Sequence, residues 1–558
     1  MSIFESASSI HKWLDRLKSD RSVIENTWQE ISDHALGSRD FTTDRTPGQT
    51  RTEAIYDATC LDAHQLLAGG MHGLLTNPAT EWFDLEPTNP LLNEDYDNAA
   101  WLEDARHKML VVTQGAASAF QQQIAEYWLD VTGWGMGGLS LTRQGKDEIV
   151  FKAHPLQELY VEDDDDGKID VTFRESTLTA RQFAARFQDA EVPEIQKALE
   201  KNNPEQRFKV VHLIAKSDDP YAAEGSPFSK EWTGVFCYLG GKSDMILETH
   251  GYDENPIMVG RWSVETGEVY GRGPGHLALP EAKMLNEMAK TKLKALQKAA
   301  DPPLLVQNES ILNGIRTHPG GVNIVEPQFG MGGSAEAIRP LQNGARVDLT
   351  QEEITSRQQL VRRLFFANVL QLFDDPNMTA EQVIQLSHRM QQLMAPNIGR
   401  QQSEMLEPIL NRLFGIMLRA KMFSPIPTGL QGQDIRVTYV SPIIRAQRVS
   451  DARSVLETWQ SAALIAQSTQ SPDVFDILDA DNSLRVIHSA NGAPRSILMD
   501  VDAVEAIREG RQQAQQQQAE MAQMSQAAEA IGKAGPGMQA LSEAAPGGGP
   551  GGPAEVAA

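Results

Sequence analysis

The sequence is short of cysteine and of long hydrophobic runs. Its only cysteines are Cys60 and Cys237, which lie far apart in a chain of 558 residues. Two distant cysteines form no disulfide framework, and they suit a reducing compartment. No stretch reaches the roughly 18 consecutive apolar residues that a membrane-spanning helix needs. The N-terminus alternates charged and apolar residues, so we expect neither a membrane span nor a signal peptide.

Basic residues are in deficit as well. Lysine and arginine total 50 against 75 aspartate and glutamate residues, which gives a formal net charge of −25. Proteins that bind nucleic acid tightly usually neutralise phosphates with a basic face or domain. The composition therefore disfavours tight DNA binding, although a wall along which DNA slides would need only weak contact.

Motifs for catalysis or cofactor binding are absent. Gly240–Ser243 resembles the end of a phosphate-binding P-loop, but that motif needs glycine where Phe236 stands. Gly271–Gly275 lacks the spacing of a dinucleotide loop, and Pro274 favours a rigid turn. His64 and His72 have no evident third metal ligand. We therefore expect no catalytic, cofactor-binding or metal-binding residues.

The acidic run Glu162–Gly167 invites a calcium interpretation. A calcium loop of that kind would need aspartate at 162 and glutamate at 173, where the chain has Glu162 and Phe173. Aspartate and glycine also suit turns, and β-branched or aromatic residues flank the run. We predict a solvated hairpin turn.

Apolar periodicity predicts an α+β N-terminal half followed by long helices. Helices are predicted near 10–31, 54–70 and 99–130, and strands within 139–175 and at 207–216, 232–238 and 256–262. Helix 279–300 has an apolar side and an opposite face of lysines, and it stops at Pro302–Pro303. Beyond a β-rich stretch, capping patterns predict helix 350–372 and a helix from about 379 to 421 that is interrupted at Pro396–Gly399. The composition of residues 511–533 predicts a polar helix, and the composition beyond Gly535 predicts disorder.

The order of helix, β-rich insertion, helix, short loop and kinked helix resembles the stem, clip, stem, tunnel loop and wing of the head-to-tail connector (portal) proteins of short-tailed bacteriophages. The resemblance covers roughly residues 10–470. The motifs that carry it are Gly70–Pro78, Tyr270-Gly-Arg-Gly-Pro-Gly275, Leu279-Pro280, Asp301-Pro-Pro-Leu-Leu305, Met378-Thr-Ala-Glu-Gln-Val383 and Ser441-Pro-Ile-Ile-Arg-Ala-Gln447.

The resemblance implies an α+β, multidomain portal fold with a mainly helical wing and crown, long stem helices and a small β-rich clip. It also implies domain boundaries. These are wing 1–278 and 379–444, stem helices 279–300 and 350–372, clip 301–349, tunnel loop 373–378, crown 445–510, and a tail 511–558 whose helix could join copies from other subunits in a barrel.

The family's role would be a ring, typically a dodecamer, at one capsid vertex of the virion, assembled in the host cytoplasm. Double-stranded DNA would pass through its channel during packaging and ejection. The implied partners are the terminase large subunit, then tail or adaptor proteins, and the major capsid protein with scaffolding or internal core proteins, without a membrane. Two other classes remain open at this point: a non-viral oligomeric scaffold without a channel, and a nucleotide-dependent translocase.

Two groups of residues are candidates for the channel wall. The lysine face of helix 279–300 would offer weak phosphate contacts, or it could be an ordinary solvated face or pair with carboxylates of a neighbouring subunit. Acidic residues in the tunnel loop would repel the DNA backbone, or they could simply be good turn residues. The candidates are Lys283, Lys290, Lys294, Lys298, Asp374, Asp375 and Asn377.

Overall fold

A computed structural model of the chain divides into two compact units, Met1–Gln447 and Arg448–Ala558. No helix that it describes is long and apolar enough to cross a membrane. The described residues are 4, 6–37, 41, 55–89, 92, 95–145, 148–217, 226–240, 244–300, 304–306, 338–340, 347–368, 392–433, 435–439, 442–469, 472–490, 499 and 501–542.

The described part of the chain mixes helices with antiparallel sheets, which confirms the α+β prediction. The helices are α1 (Ala7–Ile31), α2 (Thr59–Leu75), α3 (Tyr96–Gln114), α4 (Phe120–Trp134), α5 (Ala180–Arg186), α6 (Pro193–Glu200), α7 (Pro274–Ala300), α8 (Val347–Leu364), α9 (392–401), α10 (Glu407–Arg419), α11 (Pro442–Thr469), α12 (Ala480–Ala490) and α13 (Val501–Ser542). The strands are β1 (Phe83–Pro87), β2 (Met136–Gln144), β3 (Glu148–His154), β4 (Leu159–Asp163), β5 (Ile169–Thr179), β6 (Arg207–Lys216), β7 (Trp232–Tyr238), β8 (Met245–Tyr252), β9 (Ile257–Arg261), β10 (Leu304–Val306), β11 (Ile338–Pro340) and β12 (Ile435–Tyr439).

Helix α1 packs on a five-stranded antiparallel meander of order β4-β5-β6-β7-β8. Ser6 caps the helix by accepting the Ser9 amide. Ile10, Leu14 and Leu17 recur at helical spacing and form one buried cluster with residues from the inward face of the sheet. One face of the meander is thereby covered, and α5 and α6 contribute the cluster that packs against Phe208 and Tyr238.

A second sheet, of order β3-β2-β9, lies in the largest core cluster together with α2, α4, α7 and α10. Strand β2 pairs with both neighbours, and its Leu139 faces Ala153 on one side and Met258 on the other. Strands β1 and β12 pair across the chain, with Leu85 opposite Val437. Residues far apart in sequence therefore share one core.

The acidic run forms the predicted hairpin turn between β4 and β5. The Asp164 carboxylate accepts hydrogen bonds from the Asp166 amide (3.0 Å) and the Lys168 amide (2.9 Å). Gly167 has φ of +74°, a left-handed conformation that glycine adopts without strain. Within the described ranges, no group of three or more His, Cys, Asp or Glu residues could hold a metal ion.

Several predicted helix boundaries were wrong. The predicted helix 99–130 is two helices, α3 and α4, because Gly115 leaves the helical conformation and Ala119 has φ of +56°. Helix α7 begins at Pro274, because a proline in the first turn needs no intrahelical amide partner. Pro280 lies inside the same helix. The helix predicted to run to 372 ends at Leu364, and Phe366 has φ of +56°.

The kinked helix of the C-terminal wing has its irregularity at another place than predicted. Residues 392–401 are helical through Pro396–Gly399, and the break is the π-helical turn Gln402–Leu406 that precedes α10. A π turn inserts a residue into the helical ladder, and such turns are frequent at functional sites.

The second unit is helical, as the crown and tail were predicted to be. A ring contact joins Trp459 and Phe475, with centroids 5.9 Å apart. The Arg508 guanidinium donates two hydrogen bonds to the Asp481 carboxylate, at 2.5 and 2.7 Å. Helix α13 continues to Ser542, so the expectation of disorder directly after Gly535 was wrong. Residues 543–558 lie outside the described part.

Arg261 connects four segments of the first unit at a fully buried position. Its guanidinium donates to the Val269 carbonyl (3.0 Å), the Gly167 carbonyl (2.6 Å) and the Glu404 carboxylate (2.8 Å). Its backbone amide also donates to Glu404, at 2.9 Å. Glu404 lies in the π turn, so this one side chain joins β9, the acidic hairpin, the loop before α7 and the C-terminal wing helix.

We predict that Arg261→Ala lowers the free energy of unfolding by about 3 kcal/mol, because it leaves the Glu404 carboxylate, which is only 15% exposed, without its main partner. Arg16→Ala is the matched control: Arg16 also pairs with a carboxylate, that of Glu162 at 2.6 Å, but its side chain is 56% exposed. Exposed pairs contribute less than about 1 kcal/mol. Urea denaturation of both variants measures the difference, and equal losses would contradict the assignment.

Candidate functional site

Helices α7 and α8 are the candidate site, because all four candidate lysines lie on α7. The helices run antiparallel: Arg357 pairs with Glu281 at 2.8 Å, and Gln351 accepts a hydrogen bond from Lys292. At 1.5 Å per residue the 27 residues of α7 span about 40 Å. Between the helices, β10 and β11 pair antiparallel with Leu305 opposite Arg339. The chain thus leaves along α7 and returns along α8.

A glycine junction positions the start of α7. A Cβ atom on Gly275 would lie 2.2 Å from the Gly133 carbonyl oxygen, and one on Gly271 would lie 2.3 Å from that of Gly135. Gly135 has φ of +90° and ends α4. The glycine-rich motif is therefore a close crossing of two backbones, which only residues without a side chain permit.

His276 stabilises the first turn of α7 as a neutral ring. Burial and, to a smaller extent, nearby Arg272 lower the pKa of His276 to about 4, while Glu268 opposes their effect. Its Nδ1 therefore accepts the Gly273 amide, at 3.2 Å.

The four candidate lysines of α7 differ in their surroundings. Lys283 donates to the Glu30 carboxylate at 2.7 Å. The Lys290 ammonium lies 5.6 Å from the centre of the Tyr56 ring and 3.9 Å from Glu287. Lys294 is exposed and has no ion pair within the described ranges. The backbone of Lys298 belongs to α7, but its side chain is outside the described part, as are Asp374, Asp375 and Asn377 of the predicted tunnel loop.

The apolar side of α7 is buried in its first half and uncovered in its second. Ala282 and Leu285 are buried, whereas Leu293 is 48% and Leu296 45% exposed. A second apolar strip is also exposed, with Leu277 at 67% and Met284 at 45%. At 100° per residue, this strip lies about 140° around the helix from Leu293 and Leu296.

Asn286 is a central residue of α7 that the sequence analysis missed. It is 5% exposed, and its side chain binds the backbone of two other segments. A signal was present, because Asn286 lies four residues after Ala282 and seven after Leu279, which places it on the buried side of the helix. A buried polar side chain must find partners, so the position itself pointed to a contact.

The geometry defines an assembly protein: an α+β body extended by two long antiparallel helices, with apolar strips left uncovered on one of them. A sequence model of the family described as bacteriophage head to tail connecting protein matches residues 7–498, and the chain belongs to that family.

Two curated relatives match along most of their length. The portal protein of Salmonella phage epsilon15 is 28% identical over 501 residues, which cover 88% of this chain and 89% of the relative. A probable portal protein of Bordetella phage BPP-1 is 27% identical over 482 residues, which cover 85% of each chain.

We predict opposite effects for two glycine-to-alanine substitutions in helices. Gly275→Ala forces a methyl group against the Gly133 carbonyl and should cost about 2 to 3 kcal/mol of stability. Gly69→Ala in α2 meets no atom within 4 Å and should add about 0.5 to 1 kcal/mol. Thermal and urea denaturation measure both, and a stabilising Gly275→Ala would disprove the close crossing.

Proposed function

We propose that the protein is a portal subunit whose copies form a ring at one vertex of a phage capsid, through which double-stranded DNA enters and leaves. Family membership and the names of both relatives support this function. The observation in the chain that carries it is the pair of uncovered apolar strips on α7. A closed ring gives each subunit one neighbour on either side, so it requires two separate contact faces.

The direction in which each side of α7 faces follows from the residues on that side. Glu281 and Lys292 contact α8 on one side, and the apolar strips lie to the left and right. The lysines occupy the remaining sector, opposite α8. If α7 lines the channel and α8 lies outside it, that sector faces the DNA.

Within this proposal, Lys294 and Lys298 supply the weak phosphate contacts, and Lys283 and Lys290 attach α7 to the wing. Lys283 and Lys290 have partners in their own chain, Glu30 and Tyr56, whereas the ammonium of Lys294 is free of ion pairs in the described part. A channel along which DNA slides needs only weak contacts with phosphates. A chain of net charge −25 with few candidate lysines on α7 that lack a partner among the described residues fits that requirement.

The roles that we propose for the segments follow the domain boundaries given above. Residues 301–349 form the clip, to which the terminase large subunit docks during packaging and tail or adaptor proteins dock afterwards. Residues 373–378 form the tunnel loop, with Asp374, Asp375 and Asn377 facing the DNA. Wing and crown contact the major capsid protein and the scaffolding or internal core proteins, and α13 contributes to a barrel of helices on the interior side of the capsid.

Negative-stain electron microscopy of the full chain, with mass photometry on the same sample, tests the ring. We expect particles with a central channel and a mass near that of a dodecamer. A defined small oligomer without a pore would overturn the proposal in favour of a scaffold, and ATP hydrolysis by the pure chain would favour a translocase.

Charge reversal separates the two roles of the lysines. We predict that Lys283→Glu lowers stability by less than about 1 kcal/mol and that adding Glu30→Lys restores it, because the pair is merely inverted. Lys294→Glu should leave stability unchanged and lower the amount of DNA retained in filled heads.

Urea denaturation and quantification of packaged DNA measure the two effects. If the Lys283→Glu/Glu30→Lys double variant keeps its stability but loses DNA retention, Lys283 contacts DNA and its assignment to the wing is wrong.

A further inference from the structure

A two-residue segment of the wing, Tyr56–Asp57, is held by both long helices. From α7, the Asn286 Oδ1 atom accepts the Tyr56 amide at 2.9 Å and the Asp57 amide at 3.0 Å. From α8, the Gln358 amide nitrogen donates to the Asp57 carboxylate at 2.7 Å. The segment therefore bridges α7 and α8 through hydrogen bonds of both its backbone and its side chain.

The same segment is fixed to two further parts of the wing. The second oxygen of Asp57 accepts the Thr59 amide at 2.9 Å, at the N-terminus of α2. The Asn286 amide nitrogen donates to the His34 carbonyl at 3.1 Å, in the π-helical turn that follows α1. Four elements, α1 with its π turn, α2, α7 and α8, thus meet at one small polar cluster.

We propose that Asn286 and Gln358 are positioning residues that hold both stem helices in one orientation relative to the wing through Asp57, and that this cluster, the stem lock, sets the bore of the channel. The part about the bore rests on the proposed function, whereas the part about helix position does not.

The free-energy cost of breaking the hydrogen bonds of Asn286 favours two discrete states of the cluster, closed and open, over a gradual loosening. Asn286 is almost fully buried, so removing it leaves the amides of Tyr56 and Asp57 without partners. A buried donor without a partner costs more than the hydrogen bond contributed. We expect the cluster to admit water and to loosen the contact between the Asp57 carboxylate and the Thr59 amide at the start of α2.

Alkylation of the two cysteines can measure whether the stem lock is open. Cys60 lies in the first turn of α2 and is buried. Burial, together with the charges of Asp57 and Glu281, raises the pKa of the Cys60 thiol to about 12. Cys237 is buried in the cluster between α1 and the five-stranded sheet. Opening of the lock should expose Cys60 to alkylation and leave Cys237 protected.

The experiment measures the alkylation rates of both cysteines by mass spectrometry in the full-length protein. Asn286→Ala and Gln358→Ala should each speed labelling of Cys60, by about tenfold for Asn286→Ala, without changing Cys237. The matched control is Asn98→Ala. Asn98 is an equally buried asparagine in α3, which donates to the Leu92 carbonyl at 3.1 Å. It should leave the Cys60 rate unchanged even if it lowers the melting temperature.

Two further readouts distinguish positioning from general stability. Because both side chains act on the same Asp57, the double variant should label Cys60 less than the product of the two single increases predicts. Rings of Asn286→Ala should show an altered bore in cryo-electron microscopy, whereas rings of Asn98→Ala should not.

Each outcome bears on a separate part of the proposal. Unchanged Cys60 labelling in Asn286→Ala, or an equal increase in Asn98→Ala, would overturn the stem lock. Faster Cys60 labelling with an unchanged bore would keep the lock and refute its control of the channel. A wild-type chain that forms a defined small oligomer without a pore would refute the proposed function, and the thiol measurement would still decide the lock.

Discussion

The buried contact between Arg261 and Glu404 is the constraint on which the first unit depends. A buried guanidinium needs several acceptors, and here they come from the acidic hairpin, the loop before α7 and the π turn before α10. Gln401 adds a bond to the Arg261 carbonyl at 2.8 Å and accepts one from the Tyr127 hydroxyl at 2.5 Å. Strand β9 and the π turn before α10 are thereby fixed to each other, although more than 100 residues separate Arg261 from Glu404.

The two long helices begin from this fixed body. Directly after the loop bound by Arg261, the glycine junction brings the backbone of Gly271–Gly275 against the end of α4, so α7 starts at a defined place. Asn286 and Gln358 then attach both helices to the wing. Beyond Asn286, Met288 still packs against the core, whereas Leu293 and Leu296 are exposed. Contacts within the single chain therefore hold the first half of α7, whereas Leu293 and Leu296 in its second half are exposed and available to neighbouring copies in the ring proposed above.

Local patterns were sufficient where the local signal was strong. The strands at 207–216 and 232–238 were predicted within their observed bounds, because β-branched and aromatic runs end at polar or glycine-rich turns. The single helix predicted over 99–130 was wrong, since the break at Gly115 and Ala119 occurs within a stretch of helix-forming residues. The sequence analysis missed strand β8. Its hydrogen bonds depend on pairing with β7, and the sequence of β8 alone does not show that pairing. The placement of Lys283 beside Glu30 depends on a contact between residues 253 positions apart.

The sequence by itself determined the α+β class, the two long helices with an excursion between them, and the membership of the connector family, because these follow from periodicity, turn residues and local motifs. It also placed all four lysines on one face of α7. Only the tertiary structure decided which of these lysines are engaged within the chain, that the glycine-rich motif is a backbone crossing, and that Asn286 and Arg261 join distant segments. The reason is physical: periodicity reports which side of an element is buried, whereas the partner that covers it is chosen by packing across the whole chain.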